Sequence, residues 1–136
     1  MGKRSDLSWT SPEQLVDPAP VDLLRQEIYD VICGWGRKIL ENPARFNNRF
    51  YQSFIVLSYC RMLHDLQAGC IGSKRTGAEW AKAHLDPSWR DLIDRTWEWR
   101  PKPEIAINQP ADAQDFNRTL EFVRYAIEYS KKELSL

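Results

Sequence analysis

Histidine, cysteine and glycine are scarce in this 136-residue chain, at two, three and six residues. Only His64 and His84 are available for acid–base or ligand work. The H-E-x-x-H, G-x-S-x-G, G-x-G-x-x-G and EF-hand patterns are all absent, so the usual metal and hydrolase sites are not expected. Gly72-Ser73-Lys74 resembles the end of a phosphate loop, but its lysine follows Ser and the segment follows a helix, which excludes a Walker motif. Cys33, Cys60 and Cys70 are odd in number and form no C-x-x-C, which points to reduced thiols and a cytoplasmic location. Charge of one sign is missing too. Nineteen basic residues against nineteen acidic give a net charge of zero, so neither nucleic acid nor a membrane surface is expected as partner. The longest apolar stretch, residues 54–63, is interrupted by Ser58 and Arg61 and falls short of the ~20 residues that span a bilayer. Residues 1–10 are polar and lead into Ser11-Pro12, so no secretion signal is expected.

What is present suits one helical domain. Hydrophobic residues make up 43%, with six Trp, five Tyr and five Phe, enough apolar area for a core in a chain of single-domain length. Residues 1–20 carry three prolines and no period, which suits an irregular lead-in or linker before a bundle over residues 21–136. From Val21, apolar residues recur at three and four through Leu40, predicting a helix over residues 21–41 that Gly34 and Gly36 weaken. Asn42-Pro43 reads as the cap and first turn of a second helix. Its apolar stripe, from Phe46 through Phe54, Leu57 and Leu63 to Leu66, is so broad that it predicts a central helix ending near Gly69. Ser73 caps a third helix, Asp86-Pro87 opens a fourth that Pro101 and Pro103 stop, and Asp112 with Asp115 opens a last one. Alternating strands and Asn-Gly or Asp-Gly turns are missing. The expected fold is all-α, about five helices packed as a small bundle around the central one. Mid-stripe positions Ile28, Ile32, Phe50, Leu57, Trp80, Leu92, Val123 and Ile127 are the expected core.

Lys74, with Arg75 beside it, falls in a first helical turn, where the positive end of the macrodipole opposes a cation. An anion bound there would reverse the sign, so a phosphate site is one reading and a solvated lysine the other. Trp80 and Trp89 lie on apolar stripes and are expected in the core.

Val56-Leu57-Ser58-Tyr59-Cys60-Arg61, then Gly69, Ser73-Lys74, Gly77-Ala78 and Trp80-Ala81 resemble, without a gap, the C-terminal helical domain of aminoglycoside nucleotidyltransferases of the streptomycin/spectinomycin adenylyltransferase type. The spacing matches from about Arg49 to Ile93. In that family, whose members confer antibiotic resistance, an N-terminal domain with a Gly-Ser motif and metal-binding aspartates transfers AMP from ATP with Mg²⁺ to a drug hydroxyl. The resemblance implies that the helical domain closes the cleft. Its phosphate lysine maps onto Lys74, and its nucleotide-contacting aromatic maps onto Trp99, where the family has Tyr. Its substrate-binding positions map onto Asn47, Tyr51 and Phe54, where streptomycin-modifying members carry carboxylates. Residues 42–64 instead hold three arginines and no carboxylate, a poor match to a polycationic drug.

The implied function is an ATP- and substrate-lining domain that is catalytically incomplete alone, because no Asp-x-Asp pair follows a Gly-Ser loop in this sequence. Its expected partners are a nucleotidyltransferase catalytic domain, in cis or in trans, and a small-molecule hydroxyl acceptor. The alternative is a noncatalytic interaction module docking through an exposed aromatic face. A helical RNase ranks last, since neither histidine has an arginine four to six residues before it.

Overall fold

The computed structural model describes residues 20–99 and 113–134, which form five α-helices and, among the described residues, no strand. Helix α1 spans Pro20–Glu41. It opens on a proline, carries Asp22 in its first turn and Lys38 in its last, and buries Ile28, Ile32, Gly36 and Ile39 along one face. Helix α2, Arg49–Ala68, is the central one. It buries twelve of its twenty residues and touches every other helix. It ends where Gly69 takes φ 75°, the left-handed cap conformation that glycine adopts without a Cβ penalty. Helices α3 (Lys74–His84), α4 (Arg90–Trp99) and α5 (Ala113–Glu133) complete the bundle.

Polar ties fix how the helices sit on α2. The Tyr59 hydroxyl donates to the Ile32 carbonyl at 2.9 Å and the Ser53 hydroxyl to that of Thr96 at 2.7 Å, each satisfying a buried group. Two glycines allow close approach. A Cβ on Gly36 would lie 2.7 Å from Ile127 Cδ1, and one on Gly77 would lie 2.5 Å from the Arg61 Cα, so α1 meets α5 and α3 meets α2 nearly backbone to side chain or backbone.

The start of α2 differs from the expectation. Asn42 makes no side-chain cap, and Pro43–Phe46 is a 3-10 turn. The helix begins six residues later, capped by Asn48, whose side chain accepts from the Tyr51 amide at 2.8 Å. Pro43 thus starts a short turn, and Asn48 of the Asn47-Asn48 pair supplies the cap. Similarly, Asp86-Pro87 first makes a 3-10 turn, Pro87–Trp89, before α4. Of the expected core, Ile28, Ile32, Leu57, Leu92 and Val123 are buried, whereas Phe50, Trp80 and Ile127 are half-buried. Phe50 sits in the first turn of α2 and Trp80 lies under a stacked His84 ring, so each has one side toward solvent. Trp89 is buried, with the Arg118 guanidinium 4.1 Å from its ring centroid. Asp112 and the prolines after α4 lie outside the described residues. Asp115 binds Arg95 through both carboxylate oxygens, joining α5 to α4.

Candidate functional site

The end of α1 and the start of α2 each present residues at i, i+3 and i+4 to the other: Trp35, Lys38 and Ile39 face Tyr51, Phe54 and Ile55. The 3-10 turn closes the end with Arg45 and Phe46. Between them lies a cavity of about 210 Å³. Its walls are aromatic. Trp35 and Phe54 have centroids 5.3 Å apart, Phe46 meets Tyr51 edge-on at 5.2 Å, and Phe50 packs edge-on against both Tyr51 and Phe54. Lys38 and Arg45 are exposed at its rim, and among the described residues the lining holds no carboxylate.

Helix α3 brings a third cation to the same place. Lys74 Nζ stands 4.6 Å from the centroid of the Phe54 ring, within cation–π range. Its placement follows from the turn between α2 and α3. Asp65, buried on α2, accepts from the Gly72 amide at 2.8 Å and pairs with His64 Nδ1 at 2.9 Å. Ser73 then caps α3 by accepting from the Thr76 amide at 3.0 Å. The bare face of Gly77 lets the helix lie against the Arg61 backbone. These three contacts set where the first residue of α3 points.

Tyr51, Phe54 and Lys74 are therefore brought together. Asn47 is not part of the cavity wall: it is exposed at the end of the 3-10 turn, its amide donating to the Ala44 carbonyl at 3.4 Å. Trp99 ends α4, and its side chain lies outside the described part of the structure. Trp35, Lys38, Arg45 and Phe46 do not stand out in the sequence as site residues. Trp35 reads there as one more member of an apolar stripe, and the only sequence signal for the site's charge is the excess of arginine over carboxylate in residues 42–64.

The family model of the aminoglycoside adenylyltransferase C-terminal domain matches residues 14–128. The chain belongs to this family. No curated protein and no solved structure matches it significantly. A C-terminal domain of an aminoglycoside adenylyltransferase implies a catalytic domain as its partner. Elsewhere in this C-terminal domain, burial pushes the hydroxyl of Tyr59 and the thiol of Cys60 well above their ordinary values, and the hydroxyl of Tyr129 up to about 12. The three cysteines are unpaired, with Cys60 buried, Cys33 half-buried and Cys70 exposed. No helix among the described residues is long and apolar enough to cross a membrane.

Proposed function

We propose that this chain is the ATP- and substrate-lining helical domain of an aminoglycoside-type O-nucleotidyltransferase, catalytically incomplete until it meets a catalytic domain in cis or in trans. The observation that carries the reading is the meeting of Lys74 with Phe54. A cation at the start of a helix lies on an aromatic ring that also lines a cavity, which puts a phosphate-suited group beside a pocket for a small molecule. Lys74 suits the phosphates of ATP. Mg²⁺ needs hard oxygen ligands; the described cavity wall has no carboxylate, and the proposal assigns those ligands to the catalytic domain. Trp99, at the end of α4, is the proposed contact for the nucleotide base, and Asn47, Tyr51 and Phe54 for the acceptor.

ATP binding tests this. A nucleotidyltransferase catalytic domain supplemented with this chain should bind ATP more tightly than the catalytic domain alone, and the chain alone should transfer no adenylyl group. Equal affinity with and without the chain would contradict the proposal, as would turnover by the chain alone.

A second reading, a noncatalytic interaction module, draws on Leu23 and Val31, 54% and 48% exposed on α1. The exposed face is aliphatic, since no Phe, Tyr or Trp side chain among the described residues is exposed. Such a face would also receive a catalytic domain, and the ATP titration separates the two.

A further inference from the structure

We infer that the cavity between α1 and α2 takes a small, flat aromatic compound carrying negative charge, and not a polycation; for its place beside a nucleotide, the inference rests on the domain reading above. Shape, charge and size each point this way. Trp35, Phe46, Tyr51 and Phe54 wall the cavity from both helices and from the turn between them, offering ring faces and edges to a planar ligand. Aromatic walls alone would also suit a cation. The charges decide against that. Lys38 and Arg45 lie on the rim with no ion-pair partner among the described residues, and Lys74 already occupies the Phe54 ring. A cationic ligand would meet two exposed like charges at the rim and, among the described residues, no carboxylate in the wall, whereas an anion would meet two exposed donors able to close on it. The cavity's roughly 210 Å³ is below the ~300 Å³ at which sites for drug-sized ligands begin, which suits one ring or two fused rings.

Titration calorimetry of the full chain with 6-hydroxy-2-naphthoate, and separately with streptomycin as the polycation, tests the inference. The naphthoate should bind saturably at one site and streptomycin should not. Lys38→Glu combined with Arg45→Glu should weaken the naphthoate by about tenfold or more, with an unchanged far-ultraviolet dichroism spectrum because both side chains are exposed. Tyr51→Ala, which alters the wall without touching charge, should weaken it as well. Tighter binding of streptomycin than of the naphthoate overturns the inference. So does the absence of naphthoate binding, or an affinity that the charge reversal leaves unchanged. Naphthoate bound by a chain that adds nothing to ATP affinity would sink the nucleotidyltransferase reading while leaving the pocket chemistry intact. The reverse pair of results would sink the ligand class alone.

Discussion

Gly34→Ala and Gly77→Ala make the same chemical change in two helices and should move stability in opposite directions. In a helix interior alanine is favoured over glycine by about 1 kcal/mol, because glycine loses more backbone freedom on folding. At Gly34 no heavy atom lies within 4 Å of the new Cβ, so most of that gain should survive, about 0.5 to 1 kcal/mol. At Gly77 the Cβ would lie 2.5 Å from the Cα of Arg61 and 2.7 Å from its nitrogen. Backbone in the middle of the central helix cannot swing aside as a side-chain tip can. Overpacking of this kind costs typically about 1 to 3 kcal/mol, which exceeds the propensity gain and leaves a net loss of up to about 2 kcal/mol. Urea unfolding followed by circular dichroism gives both values. For a chain of this length each kcal/mol should appear as a change in Tm of about 4 °C. The Gly77 variant should also move the start of α3 away from α2, and Lys74 with it. If Gly77→Ala stabilised the protein as Gly34→Ala does, the close crossing of α2 and α3 would be refuted.

Gln52 is fully buried and its side-chain amide has no hydrogen-bond partner among the described residues, so Gln52→Met should stabilise by about 1 kcal/mol in the same urea assay. Asp65→Ala should cost about 1 to 3 kcal/mol because it strands the Gly72 amide, and Asp65→Asn, which keeps an acceptor oxygen, should cost less. Stability should fall in alkali: Tyr59 has its folded-state pKa raised, so its contribution is complete below the unfolded value of about 10 and is lost as pH rises above it. Tyr59→Phe should flatten that fall in Tm above pH 10, at a cost near neutrality of about 0.5 to 1.5 kcal/mol for the lost bond to Ile32.

Local signals made the helices legible. A period of three to four, with Ser73 before α3 and Gly69 after α2, locates their ends to within a residue or so, because capping is decided by a few neighbours in sequence. The start of α2 is less legible, since two asparagine sites compete there. Asn42 precedes a proline, as helix caps often do, but only Asn48 accepts the amide three residues on. As site residues Tyr51 and Phe54 rest on family resemblance and Lys74 on its first-turn position as well, and their meeting does not follow from spacing, because Lys74 lies on a different helix. Trp35, Lys38, Arg45 and Phe46 join them only once α1 folds back on α2. Asp65 gave no sign in sequence: it stands among apolar residues of α2, and its role appears only when the Gly72 amide comes round to it.

Whether this domain lines a nucleotide site is tested most directly at Lys74. ATP titrated at one fixed salt concentration against the chain joined to its catalytic domain, with and without Lys74→Ala, gives two dissociation constants to compare. A charge-assisted contact is typically worth about 1.5 to 3 kcal/mol, so the substitution should weaken ATP binding by about ten- to a hundredfold while leaving the helical spectrum intact. An unchanged Kd would contradict the assignment and make Lys74 an ordinary lysine resting on Phe54.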